Sequence, residues 1–151
     1  ETEPEKWAPS TRETADHSIP FLVASALSDG TVNPETFTET NIKRTIIKTL
    51  ITKTNIVENS DFSNLYPSQY NCRIDITTQS GSIHTGQTAY PKGHPQNPFT
   101  DTDLQNKFSN LSGALLSKQR RETTLDLLMD IDHAASITPL FNSVDVTTGT
   151  N

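Results

Sequence analysis

The stretch Arg12-Glu-Thr-Ala-Asp-His-Ser-Ile-Pro-Phe-Leu-Val-Ala-Ser-Ala-Leu-Ser-Asp-Gly30 decides how this chain folds. Its second half, with Phe21, Leu22, Val23, Ala24, Ala26 and Leu27, is the most apolar run in a polar sequence. Apolar density of that kind, ending at Asp29-Gly30, reads as a helix buried on most sides and closed by a glycine C-cap. Pro20 suits the first helical turn, where its missing N–H does little harm. The polar half, Arg12 to Ser18, then lies just before the N-terminus of a buried helix. Free N–H groups and the positive dipole end can meet an anion there. Arg12, Asp16, His17 and Ser18 crowd into the seven residues of that polar half.

Upstream, residues 1–9 are acidic, contain Pro4 and Pro9, and read as an extended lead-in. They begin without an initiator Met, which leads us to expect residues before Glu1. Trp7 reads as an anchor packed on the body. Downstream, Asn33-Pro34-Glu35 gives an N-cap followed by proline at the first position of a short helical turn. Thr40 is expected to cap a helix with Ile42, Ile46, Ile47 and Leu50 on one face. Residues 51–57, rich in β-branched side chains, read as a strand, and 61–69 as a loop. The period then changes to two. Tyr70, Cys72, Ile74 and Ile76 share one face, expected to be the core face, and Asn71, Arg73, Asp75 and Thr77 the other. Ser80-Gly81 turns the chain, and a second strand returns from Ile83 to Tyr90, with Gly86 read as a bulge.

Pro91 to Pro98, with three prolines and Gly93, must be a shaped loop. Thr100 and Asp103 approximate a capping box. The helix it opens carries Leu104, Phe108, Leu111 and Leu115 on one face. A last helix runs from about Lys118, with Leu125, Leu128, Met129 and Ile131 or its neighbours expected inward. Residues 137–141 are expected to dock on the body, and 142–151 read as a disordered tail. No internal repeat or boundary is visible. Helices packed on a small antiparallel sheet, with a hairpin at about 70–90, make a single α+β domain over 10–141.

Composition narrows the function classes. At 151 residues and 32% hydrophobic content the chain can bury only a thin core, as would a domain leaning on a partner or one with disordered ends. A net charge of −6 without a Lys/Arg cluster argues against nucleic-acid binding, and any polyanionic ligand must find local cations. The lone Cys72 excludes an internal disulfide and a cysteine-based metal site, and fits a reducing compartment. No targeting or membrane-spanning run is present, so the reading is intracellular, without a membrane partner.

Among chemical side chains His17 stands out, as an acid, base or carboxylate ligand beside a helix N-terminus, or as a capping or core histidine. Arg12 reads as a bidentate carboxylate ligand or as the partner of Glu13 or Asp16. Asp16 and Ser18 read most simply as helix caps. Lys92, Gly93 and His94 form an anion-holding loop or a rigid connection. His84 and His133 read as surface residues, and Asp126, Asp130 and Asp132 as a solvated face. No histidine pair has helical metal-ligand spacing, and there is no Gly-rich phosphate loop or nucleophile elbow. No metal or cofactor is expected.

Two segments also carry a resemblance. "RETADHSIPFLVASALSDG" (12–30) looks like the segment that opens the last part of MmgE/PrpD-family enzymes, and "YPKGHPQNPFTDTDLQNKF" (90–108) resembles that family's "YP.GH..NP.TD.EL..KF" stretch. The resemblance covers roughly 6–141 and is nearest to the 2-methylcitrate dehydratases; the family also includes cis-aconitate decarboxylase and an iminodisuccinate epimerase. It implies an α+β lid that closes over a large helical domain, here absent along with the family's upstream catalytic lysines. It further implies a hydro-lyase acting on a small polycarboxylate, with His17 catalytic and Arg12, Asp16, Ser18, Lys92 and His94 binding substrate. The helical domain of the same enzyme would be the partner, in a homodimer of the bacterial cytoplasm or mitochondrial matrix. The alternatives are another family activity, or a non-catalytic binding or structural subunit derived from the lid.

Overall fold

The computed structural model describes residues 3–146. The chain divides into two compact units between Gln69 and Tyr70, each with packing of its own.

The first unit is helical. It contains α1 (Pro4–Trp7), α2 (Arg12–Asp16), α3 (Ile19–Asp29), a 3₁₀ turn (Pro34–Phe37), α4 (Glu39–Ile42), α5 (Thr45–Ile51) and α6 (Ser60–Leu65). The lead-in is therefore not extended throughout. Pro4 opens one helical turn with Glu5 behind it, and Trp7 ends that turn packed against the core as an anchor. The core consists of Ala15, Phe21, Ala24, Ile42, Ile47 and Ile51, flanked by Trp7, Phe37 and Leu50. Phe21, completely buried, is its largest side chain, and its ring centroid lies 6.0 Å from that of Phe37. Burial of a Phe side chain contributes roughly 1.5–3 kcal/mol.

α3 closes as its sequence requires: Gly30 adopts φ 71°, and its N–H reaches the Ala26 carbonyl at 2.9 Å. The helix end is then fastened to the start of α5. Arg44 grips both carboxylate oxygens of Asp29, at 2.7 and 2.9 Å, and the Ser28 hydroxyl at 2.8 Å.

Three local expectations fail here. The helix foreseen from Thr40 is two short helices, with Thr38 capping α4 and Arg44 at the break. The strand foreseen at 51–57 does not form. Ile51 is the last residue of α5, because Ile47 and Ile51 are one helical turn apart and both enter the core; that burial outweighs β-branched propensity. The loop foreseen at 61–69 begins as α6, nucleated when the Asn59 side chain accepts the N–H groups of Asp61 and Phe62.

The second unit combines an antiparallel hairpin with helices, so the chain is α+β. Strands β1 (Cys72–Thr77) and β2 (Ile83–Thr88) pair from Cys72↔Thr88 to Thr77↔Ile83. Gly81, at φ 85°, makes the turn. Gly86 sits in regular register opposite Ile74, so the expected bulge is not there. Arg73, Asp75 and Thr85 form a hydrogen-bonded cluster on one face. On the other face β1 sets Cys72, Ile74 and Ile76 beside Thr88, Gly86 and His84 of β2, yet Cys72 and Ile74 are exposed and Ile76 only half-buried. The expectation that this face enters a core is corrected. Two strands alone have no second layer to cover them, and no third strand joins among the described residues.

Helices α7 (Asp101–Ser112), α8 (Lys118–Met129) and α9 (Thr138–Val144), with a 3₁₀ turn (Ile131–His133), complete the unit. α8 and α9 are joined by polar contacts. Buried Thr124 bonds the Ser143 hydroxyl at 2.9 Å, and Arg120 donates to the carbonyls of Asn142, Ser143 and Asp145 at the end of α9. Leu128, Met129 and Ile131, expected inward, are exposed, because it is Thr124 that occupies the packed side of α8. The tail expected to be disordered from Asn142 is instead helical to Val144, within α9; residues 147–151 lie outside the described residues. No helix among the described residues is long and apolar enough to cross a membrane.

Candidate functional site

Thr11 and Thr14 build α2. The Thr11 hydroxyl accepts the Thr14 N–H at 3.2 Å, and the Thr14 hydroxyl accepts the Thr11 N–H at 3.1 Å. This reciprocal cap launches a five-residue helix that buries Ala15 and ends at His17. His17 thus stands between the C-terminus of α2 and the N-terminus of α3. Ser18 caps α3: its hydroxyl accepts the Phe21 N–H at 3.2 Å and donates to the Lys6 carbonyl. Its side chain is fully buried, and the second bond ties α1 to the α2–α3 junction.

The His17 ring is held by one nitrogen. Nδ1 lies 2.9 Å from the Glu13 carbonyl and 2.5 Å from Asp16 Oδ1. Both neighbours are acceptors, so Nδ1 carries a proton. The exposed Nε2 has no hydrogen-bond partner among the described residues, and the side chain is 66% exposed. The N-terminal dipole of α3 acts to lower the pKa of His17. The bonded Glu13 carbonyl, then Asp16, instead raise it above the ordinary 6.5, with Lys6 opposing. The direct hydrogen bond to Glu13 and the contact with the Asp16 carboxylate outweigh a dipole end that Ser18 already caps, and the C-terminus of α2 favours the cation as well.

Arg12 is exposed and forms an ion pair with neither Glu13 nor Asp16. Asp16 is turned toward His17. The structure therefore brings Asp16 and His17 into contact, with Ser18 in the supporting cap and Arg12 in the first turn of α2.

In the second unit the 90–100 loop holds its shape by backbone bonds. The Gly93 N–H reaches the Asn97 carbonyl at 2.8 Å, the Asn97 N–H reaches the His94 carbonyl at 2.7 Å, and the Asn97 amide reaches the Tyr90 carbonyl at 2.9 Å. Gly93, at φ 95°, also leaves room for the Phe99 ring, which an added Cβ would approach to 2.7 Å. His94 stacks on Tyr90, with centroids 4.7 Å apart, and its Nδ1 accepts the Gln96 N–H at 3.1 Å. The His94 proton is therefore on Nε2. Lys92 is engaged by Asp103 at 2.9 Å. Asp103 also completes the Thr100 capping box at the start of α7, accepting the Thr100 N–H at 2.8 Å. That N–H, followed by Lys92 and the Thr100 hydroxyl, lowers the Asp103 pKa to about 2.

Asp130, Asp132 and His133 offer ligand atoms within 4.8 Å of one another, and all three are exposed. His133 already pairs with both carboxylates, at 2.8 and 3.2 Å. His84 lies in β2, exposed, opposite Ile76.

The sequence reading missed the Glu13 carbonyl, the Thr11 cap and the Tyr90 ring beneath His94. The cap had a signal, since Thr11-x-x-Thr14 is a capping-box spacing with Thr in the last place. A main-chain carbonyl and a ring stack leave no mark in residue type.

Comparison with known proteins agrees with the two segments that stood out. A family model described as the MmgE/PrpD C-terminal domain matches residues 2–131. Cis-aconitate decarboxylase of Mus musculus is 25% identical over 141 residues, covering 91% of this chain and 29% of that protein. Cis-aconitate decarboxylase of Homo sapiens is 26% identical over 128 residues, covering 82% of this chain and 26% of that protein. The chain thus spans less than a third of the length of these relatives. With both segments inside a match that takes in most of its residues, the chain belongs to the MmgE/PrpD family, as a C-terminal domain.

Proposed function

We propose that this chain is the C-terminal lid of a lyase acting on a small tricarboxylate, with catalysis completed by a helical domain of the same enzyme. The favoured reaction is the dehydration of 2-methylcitrate. In it a base removes a proton from carbon, the carbon–oxygen bond breaks, and the hydroxyl leaves as water after receiving a proton. His17 supplies that proton from Nε2. Arg12 binds a carboxylate, and His94 Nε2–H and Lys92 are further donors at the lid. The remaining base and cations belong to the helical domain, and the complete enzyme works as an intracellular homodimer.

The observation that carries this reading is the His17 ring, clamped through Nδ1 and open at Nε2, inside the segment that resembles the family. A raised pKa favours the imidazolium form that a general acid needs near neutral pH. A second reading, decarboxylation of cis-aconitate, is supported by the names of the curated relatives.

The test is kinetic. In the complete enzyme, His17→Ala should slow turnover by about 10²–10⁴-fold while melting at the wild-type temperature. His84→Ala and His133→Ala should do little. Assays with 2-methylcitrate and with cis-aconitate, side by side, choose between the two reactions. Normal turnover of His17→Ala, or failure through unfolding alone, would reduce His17 to a structural role.

A further inference from the structure

We propose that Asp16 is a positioning residue: with the Glu13 carbonyl it holds the His17 ring through Nδ1 and confines proton exchange with a ligand to Nε2. This rests on the reading of His17 as an acid–base group and adds how its reacting atom is selected.

The argument is geometric. Nδ1 has a carboxylate oxygen at 2.5 Å and a carbonyl oxygen at 2.9 Å, and neither can donate. A proton on Nδ1 is retained in both the neutral and the charged ring, because its removal would set three acceptors against one another. Titration therefore takes place at Nε2. A free imidazole favours the opposite neutral tautomer, with the proton on Nε2, so the clamp inverts the ordinary preference. Asp16 is adjacent to His17 in sequence, and the turn at the end of α2 (His17 φ −101°, ψ 12°) brings the two side chains together. Lys6, from α1, is the one neighbouring cation that acts against the charged ring. α3 has no acidic residue in its first turn, so within the first unit the stabilising charge comes from Asp16.

An Asp16 carboxylate committed to His17 is not disposed to meet a polycarboxylate, which it would also repel. Its part is thus to orient and polarise the ring, and the ligand's own carboxylates fall to Arg12.

Nitrogen-15 and carbon-13 NMR titration of the 151-residue chain tests this without any turnover assay. In the wild type, the ring nitrogen shifts of His17 at high pH should report Nδ1–H with a bare Nε2, and the Asp16 carboxyl-carbon shift should show a step at the His17 midpoint. In Asp16→Asn the His17 midpoint should fall, and the neutral ring should gain the Nε2–H form. An unchanged midpoint and tautomer in Asp16→Asn, or an Asp16 carbon without a step at that pH, would overturn the proposal. Should Asp16→Asn fail to fold, as judged by its amide spectrum, the wild-type step decides alone. In the complete enzyme, Asp16→Asn should also move the His17 limb of the kcat–pH profile to lower pH, and Asp16→Glu should restore it in part. If His17→Ala retains turnover while the NMR coupling is present, the catalytic reading fails and the positioning stands.

Discussion

His17 and His94 carry their protons on opposite ring nitrogens, and the difference lies in what faces each Nδ1. Acceptors face that of His17, whereas the Gln96 N–H faces that of His94. In the neutral state the first presents a bare nitrogen to solvent and the second an N–H donor. Asp103 is a comparable case of local bonding setting a charge. Its folded pKa lies below the ordinary 3.8, so its bonds contribute stability above that value, and the contribution is lost as pH falls through about 2. A carboxyl-carbon titration should place its midpoint near 2, and Lys92→Met should raise it; an ordinary midpoint would show that the capping box is not closed in solution. Gly93→Ala should destabilise the loop by about 1–3 kcal/mol, because a left-handed residue gains a Cβ against Phe99. Thermal melting of that variant checks it, and a wild-type melt would mean that the loop relaxes freely.

α3 and the β1–β2 hairpin form equally clear sequence patterns but differ in burial. Phe21 is completely enclosed by the helices around α3, whereas Ile74 keeps 39% of its surface exposed. Phe21→Ala should therefore cost about 3–5 kcal/mol, and Ile74→Ala less than about 1 kcal/mol, within the span of β-propensity effects. Urea unfolding of both variants makes the comparison. A large loss at Ile74 would mean that its face is covered in solution. The capping elements are legible because they are local. Asn33, Thr100 and Gly30 each act within four residues of their partners. Ile51 shows the opposite, since its strand-forming neighbourhood gives way to a helix that delivers it to the core.

At the scale of the molecule, the balance of groups bears on activity. The chain carries a net charge of −6, and of the residues the proposal names only Arg12 and Lys92 are Lys or Arg, with Lys92 shared with Asp103, which is too few to gather three carboxylates. Under the proposed function, the chain alone should show no turnover of 2-methylcitrate or cis-aconitate. Rates of about 1–10³ per second, ordinary for an enzyme, would show that it needs no further domain. Arg12 to Ser18 belong to the first compact unit and Lys92 to His94 to the second. No shift in composition marks the boundary at Gln69.

The sequence by itself determined the α3 helix with its proline start and glycine end, the hairpin pairing, the Thr100 capping box, the start of α8 and the α+β class. Each rests on side-chain period or on bonds between residues a few positions apart, and those are written in the order of residues. It also marked out His17 and the 90–108 stretch through family resemblance. Only the tertiary structure decided which apolar faces are covered and that residues 51–57 form no strand. Those outcomes depend on which surfaces come together, and propensity and spacing do not encode that. The hairpin's alternation was legible without error, yet alternation states only that two faces differ; a covering layer must exist before the apolar one is buried.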